Sequence, residues 1–355
     1  MRDKRFKTVL LMERRHHFNY LQKICIFRIM IFDFLNLTKQ KERPIIWQLS
    51  ILSISDNKTF VSGVILNNDP AVHHKNIGFF KSFINVFTSY FIKPYAEKTI
   101  TIQAHSQSFT TQTDSYGGFE IIINFKVEDL VEITTPEAGN APLKNIQNYP
   151  IRFLQTESAF DVISDIDDTI VSSHTASTLK RITTVSFVPP HKRKAIRFTQ
   201  DFFRSIKNEG GKLYYVSKSE SNLFGMLSYF IKYESNFPQG ILFLTPYINF
   251  FQLLFSDKPK DFKKEKIAFI LKNSSQKKYI LFGDDSQKDM EIYYDIVNLF
   301  PNRILKIYIR QTKSKSSTKQ IAMWENLEKL NIPIAYFNDG IDFQKEIIAL
   351  KNSIK

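Results

Sequence analysis

From Phe160 to Phe337 the chain alternates short, β-rich apolar runs with helical patterns, and this alternation restricts its fold more than any other feature. The runs are Phe160–Ser164, Leu213–Val216, Ile241–Leu244, Tyr279–Phe282, Ile304–Ile309 and Ile334–Phe337. Between them, Lys192–Glu209, Asn222–Tyr233, Asp261–Asn273, Met290–Phe300 and Lys319–Leu330 read as helices, the first closed by Gly210-Gly211. Strands that are apolar throughout, each separated from the next by a helix, imply an α/β fold: a doubly wound parallel sheet with helices on both faces. Ligands of such sheets lie beyond the carboxyl ends of the strands. The chemistry is therefore to be sought in the residues that follow each strand.

Residues 45–130 read differently. Ile46–Ile54, Phe60–Leu66, Lys98–Ala104 and Phe119–Phe125 are strand patterns, the last entered through a turn-type cluster at 114–118. They predict a small β-sandwich ahead of the α/β unit. Residues 134–150 bear Pro, Gly and Asn and read as a linker. The expected organisation is an N-terminal extension over 1–40, a β-sandwich-like domain over 41–133, the linker, and a catalytic domain over 151–355. Phe79, Phe83, Phe87 and Phe91 recur every four residues. That stripe suits a helix packed on the sandwich or, alternatively, one lying on a membrane surface.

Composition narrows the partners. Lys and Arg outnumber Asp and Glu by 49 to 35, which favours anionic partners such as phosphate esters or acidic lipid surfaces. A nucleic-acid partner is not expected, because His191-Lys-Arg-Lys194 lacks interleaved aromatics and a binding motif. The lone Cys25 excludes a disulfide framework and a cysteine-based zinc site, and His73-His74 has no third ligand at a suitable spacing. No apolar run is long enough to span a bilayer. The expected location is cytoplasmic, with peripheral membrane contact. The basic residues 1–40 fit a flexible extension, an interfacial segment, or a start codon placed upstream of Met30.

The strand ends carry carboxylates. The first runs into Asp165-Ile166-Asp167-Asp168-Thr169, the second ends at Ser217, a helix opens with Lys263-Lys264, and the fourth strand ends in Gly283-Asp284-Asp285, with Asp289 beyond. A phosphomonoesterase can use one carboxylate as nucleophile and a second as the acid that protonates the leaving alkoxide. Asp165 and Asp167 suit these roles. Thr169 would tie the loop down. Ser217 would offer a hydroxyl to the phosphoryl oxygens and Lys263 a point charge. Mg²⁺ prefers carboxylate oxygens and water, and Asp165, Asp167, Asp284, Asp285 and Asp289 are the candidate ligands.

In order and spacing these motifs resemble the haloacid dehalogenase superfamily and, within it, the catalytic domain of the actin-patch-type phosphatidate phosphatases. The resemblance covers roughly 155–315. It includes Asp165–Thr169, the segment Tyr215-Val-Ser-Lys-Ser-Glu-Ser-Asn-Leu223, Phe237–Gly240, Lys263–Ile267 and Gly283–Tyr293. More weakly, Val61–Leu66 and Thr113–Phe119 are similar to the β-domain that precedes it in bacterial members. The resemblance implies a Mg²⁺-dependent hydrolysis of phosphatidate, an anionic phospholipid, and Asn222 joins the substrate-binding candidates. The chain departs from the family at Asp285 and Met290, at Lys218 and Glu220-Ser221, over 186–194, and at Thr245–Tyr247. Two other readings remain: a phosphatase of a small soluble ester, and a membrane-associated binding or scaffold protein with little catalysis.

Overall fold

In a computed structural model of the chain, the residues described are 43–355 apart from 56, 70–87, 128–130, 138, 147–150, 153–157, 168, 171–195, 232–235, 250–251, 253–260, 275–276, 286–287, 313–315, 338–339 and 354–355. The N-terminal extension, most of the aromatic stripe, His73-His74 and the basic run at 191–194 lie outside the described residues.

The first part contains two sheets. One has the order β5-β2-β1-β8, built from β5 (Gly118–Ile123), β2 (Lys58–Leu66), β1 (Ile45–Ser55) and β8 (Leu143–Ile146), with β9 (Ile151–Arg152) also pairing with β1. The other has the order β4-β3-β6-β7, from β4 (Gln107–Gln112), β3 (Thr99–Ala104), β6 (Glu132–Thr135) and β7 (Gly139–Asn140). Ile46, Leu49, Ile51, Val61 and Ile65 of the first sheet meet Ile100, Ile102 and Ile133 of the second, which is the core of a sandwich. The segment read as a linker is partly sheet: β7 pairs with β6, and β8 runs parallel to β1.

The second part is a six-stranded sheet in which every pairing is parallel. Its order is β12-β11-β10-β13-β14-β15, from β12 (Ile241–Thr245), β11 (Leu213–Glu220), β10 (Phe160–Ser164), β13 (Lys278–Asp284), β14 (Ile304–Arg310) and β15 (Ile334–Phe337). Helices cover both faces. On one lie α1 (Arg197–Asn208), α2 (Phe224–Tyr229) and α6 (Phe343–Asn352), and on the other α3 (Phe262–Asn273), α4 (Asp289–Leu299) and α5 (Thr318–Glu328). Strand residues alternate between the two cores. Val162, Ile280 and Phe282 face the first group, and Ile163, Tyr279 and Leu281 the second. This explains why the strands read as unbroken apolar runs.

The chain steps from β10 outward to β12 and then returns to β10's other side as β13. The reversal leaves a crevice at the carboxyl ends of β10 and β13, where open parallel sheets bind ligands. The sandwich joins this body directly. Trp47 Nε1 donates to Ser221 O at 2.9 Å, Ser221 Oγ to Gln48 Oε1 at 2.8 Å, and Lys266 pairs with Glu120 at 2.8 Å.

Candidate active site

The residue after β10 is Asp165. Its N–H donates to Phe282 O at 2.9 Å, which carries the β10–β13 pairing one residue past the strand and fixes the backbone that bears the carboxylate. Asp284 is the last residue of β13, across the crevice. Asp289 opens α4, where the helix dipole favours an anion, and its Oδ2 accepts from the Asp284 N–H at 3.3 Å. Lys263 enters from the first turn of α3. Its Nζ lies 3.0 Å from Asp165 Oδ1 and also pairs with Asp289 Oδ1. One carboxylate oxygen from each of Asp165, Asp284 and Asp289 lies within 4.8 Å of the other two. All four side chains are at most 1% exposed, so their charges interact with little screening by water.

Burial pushes the Asp165 carboxyl well above the usual carboxylate range. Lys263 pulls it back, and the neighbouring Asp289, Asp284 and Asp167 push it up further. For Lys263, burial works against the charged form, but Asp165 and Asp289 outweigh it and hold the ammonium above the ordinary lysine value. Asp165 Oδ2 is buried without a hydrogen-bond partner among the described residues. Three clustered carboxylates facing one lysine, with an unsatisfied oxygen, form an oxygen donor set that a divalent cation such as Mg²⁺ would fit.

Asp167 lies beside this cluster and not in it. Its Oδ2 accepts from Ser217 Oγ at 3.3 Å and from Ser219 Oγ at 3.1 Å. Ser217, expected to meet a phosphoryl oxygen, here orients Asp167 and accepts from the Ser219 N–H at 3.0 Å. Ser219 was not singled out in the sequence, although its position two residues beyond Ser217 on one strand places both hydroxyls on the same carboxylate.

Besides Asp167 and Ser217, three further residues are placed otherwise than expected. Asn222 does not face the site: its Nδ2 donates to Ile248 O and its Oδ1 accepts from the Ile248 N–H, both at 2.9 Å, so its carboxamide pins the loop after β12. Asp285 is not among the clustered carboxylates. Its Oδ1 accepts from Thr312 N at 2.8 Å and Thr312 Oγ1 at 2.6 Å, which turns it toward the end of β14. Thr169 holds the loop through its backbone, with N–H to Ile166 O at 3.4 Å, while its buried hydroxyl has no hydrogen bond among the described residues.

Residues 160–311 match the family described as "Phosphatidate phosphatase APP1, catalytic domain". Over these residues the chain is similar to that catalytic domain. All of the clustered residues fall inside it. The chain is 30% identical over 217 residues to a protein of Saccharomyces cerevisiae named "Phosphatidate phosphatase APP1", a match covering 59% of this chain and 36% of that relative. It is 26% identical over 158 residues to an uncharacterized protein of Schizosaccharomyces pombe, covering 44% of this chain and 26% of the other. The chain thus spans about a third of the length of the first relative and about a quarter of the second. Within the matched segment, Gly283 meets a packing requirement that its place in the strand-end motif did not by itself reveal. A Cβ there would lie 2.7 Å from Asp289 Oδ2 and 2.8 Å from Tyr293 Cε2, so only glycine lets α4 approach β13 this closely.

Proposed function

We propose that the chain is a Mg²⁺-dependent phosphomonoesterase that works through an aspartyl-phosphate on Asp165 and converts phosphatidate to diacylglycerol. The observation that carries this reading is the ion pairing of Lys263 with Asp165 and Asp289, with Asp284 beside them at the sheet's switch point. The substrate assignment leans on the name of the Saccharomyces cerevisiae relative and on the chain's formal charge of +14, which suits an anionic lipid surface. Among the described residues no helix is long and apolar enough to cross a membrane. The proposed location is cytoplasmic, with peripheral contact at the lipid surface.

In this mechanism an Asp165 carboxylate oxygen attacks phosphorus and the ester P–O bond breaks. Asp167, held by Ser217 and Ser219, gives its proton to the departing alkoxide. Asp167 then takes a proton from the water that attacks the acyl-phosphate, and the Asp165 carboxylate is released with inorganic phosphate. Lys263 neutralises charge and keeps Asp165 in its attacking orientation throughout. Bound at Asp165, Asp284 and Asp289, Mg²⁺ would supply charge that offsets the repulsion between carboxylates and phosphate.

Two measurements test the reading. Phosphatidate in mixed micelles and a soluble aryl phosphate are assayed with Mg²⁺ and with chelator, wild type against Asp165→Asn. Hydrolysis of phosphatidate that requires Mg²⁺ and falls by at least about a thousandfold in the variant is expected. Equal activity in both proteins would remove Asp165 as nucleophile, and cleavage of the aryl ester alone would transfer the reading to a small soluble substrate. Separately, Mg²⁺ at a hundredfold excess over its Kd should stabilise the wild type by about 2.7 kcal/mol and Asp284→Asn far less. Equal melting shifts would exclude Asp284 as a ligand.

A further inference from the structure

Asp167 takes hydroxyl hydrogen bonds from Ser217 and Ser219, and both go to Oδ2. A carboxyl proton therefore belongs on the other oxygen, and where that oxygen points depends on where the two serines stand. The sheet does not set their place. β11 pairs with β10 as far as Tyr215 and with β12 as far as Val216, and the second pairing resumes only at Glu220 with its register shifted. Residues 217–219 thus lie outside both ladders, and other bonds must fix them. On one side, Thr245 Oγ1 donates to Ser219 O at 3.1 Å.

On the other side the anchor is the sandwich. Trp47 Nε1 donates to Ser221 O, and Ser221 Oγ donates to Gln48 Oε1. Neighbouring residues of a regular strand point to opposite faces. Here β1 carries a bulge: its register against β2 shifts between Ile46 and Gln48, which leaves Trp47 as the extra residue. Ile46 and Leu49 face the sandwich core, whereas Trp47 packs into the core of the catalytic body and Gln48 beside it meets Ser221. Trp47 and Ser221 are each 2% exposed, so water does not replace their bond when it is lost.

We propose that Trp47 and Gln48 are positioning residues for proton transfer: by clamping Ser221 they hold Ser217 and Ser219, and through them Asp167, in line with the leaving-group oxygen. This rests on the phosphatase reading above. The bulge in β1 thereby makes the sandwich part of the apparatus that cleaves the ester, and loosening it is felt most by esters whose leaving group needs a proton.

The test compares kcat/KM of the full chain with Mg²⁺ on two soluble esters. Phenyl phosphate needs the proton of Asp167 at its leaving oxygen, whereas para-nitrophenyl phosphate releases its leaving group readily as the anion. The proteins are the wild type, Trp47→Phe, which keeps a ring and loses the donor, Gln48→Met, and Lys266→Met, which breaks the ion pair with Glu120 between sandwich and body. Thermal melts establish folding. Trp47→Phe should lower kcat/KM by about tenfold on phenyl phosphate and by less than about threefold on the nitrophenyl ester. Gln48→Met should show the same inequality, and it carries the test alone if Trp47→Phe does not fold. Lys266→Met should change both by less than about twofold, as an exposed pair does. Equal losses on the two esters, no loss, or the same inequality in Lys266→Met overturns the inference, while turnover by the wild type keeps the phosphatase reading. Crystal structures of the wild type and Trp47→Phe separate the two claims. Ser219 drawn away from Asp167 in the variant, with no turnover by the wild type, leaves the positional link standing and removes the phosphatase reading. Unchanged positions of residues 217–221 and Asp167 overturn the inference whatever the activity.

Discussion

Replacing Lys263 with methionine is expected to destabilise the protein by about 3–5 kcal/mol and to abolish activity. The ammonium pairs with two carboxylates, Asp165 and Asp289, at sites at most 1% exposed. Methionine fills a similar volume, so lost charge dominates over lost packing. For a domain of this size the melting temperature should fall by roughly 10 °C. The loss should depend on pH. Burial already raises the Asp165 carboxyl, and without Lys263 it rises further. A carboxyl whose folded value lies above its unfolded value, near about 3.9, binds more protons when folded, so stability falls as pH increases from there. In chelator, the deficit of Lys263→Met should be large at neutral pH and shrink toward pH 4. Urea melts across that range check it. A midpoint close to wild type at neutral pH would show that the lysine is not an essential counter-charge.

Gly283→Ala should be the most damaging change that alters no charge. The new methyl would meet Asp289 Oδ2 at 2.7 Å, Asp289 Cβ at 2.8 Å and Tyr293 Cε2 at 2.8 Å. Asp289 and Tyr293 lie about one helical turn apart on α4, and Tyr293 OH donates to Phe282 O at 2.6 Å, so neither can retreat alone. Relief requires the start of α4 to move off β13, carrying Asp289 away from Asp165 and Asp284. Overpacking of this kind costs about 1–3 kcal/mol. The larger effect should be at the site: weaker Mg²⁺ binding by at least about tenfold and a parallel loss of turnover, measured by calorimetry and by activity against Mg²⁺ concentration. Normal Mg²⁺ affinity in this variant would mean that the close approach of α4 is not what places Asp289.

The α/β body was legible because its strands are buried on both faces. Phe160–Ser164 and Ile334–Phe337 appear at the bounds that were read, and α1 ends at Asn208, two residues before Gly210, at φ 80°. The sandwich was less legible. β4 is exposed or half-exposed throughout and its polar sequence carries little periodicity, while β7 and β8 are short strands in a segment whose Pro, Gly and Asn suggested a linker. The helix α6 buries only Ile347 and Leu350, too narrow a stripe to stand out. At the candidate site, Asp165, Asp284, Lys263 and Asp289, singled out by their positions after a strand or at a helix start, come together in the structure. What could not be read was direction. Asp284 and Asp285 are neighbours of the same chemistry, yet one faces the crevice and the other binds Thr312. Likewise Asn222 lies in a matched motif but holds backbone, because its partner at Ile248 comes from a loop distant in sequence.

The most direct test of the central claim is to trap the covalent intermediate. Wild type, Asp165→Asn and Asp167→Asn are mixed with excess phosphatidate and Mg²⁺, quenched in acid, digested, and examined by mass spectrometry for phosphate on the peptide containing Asp165. The account predicts an alkali-labile phosphoryl adduct on Asp165 in the wild type, more of it in Asp167→Asn if breakdown slows most, and none in Asp165→Asn. Turnover of phosphatidate by Asp165→Asn at the wild-type rate, or a phosphoryl adduct on a different residue, would contradict it.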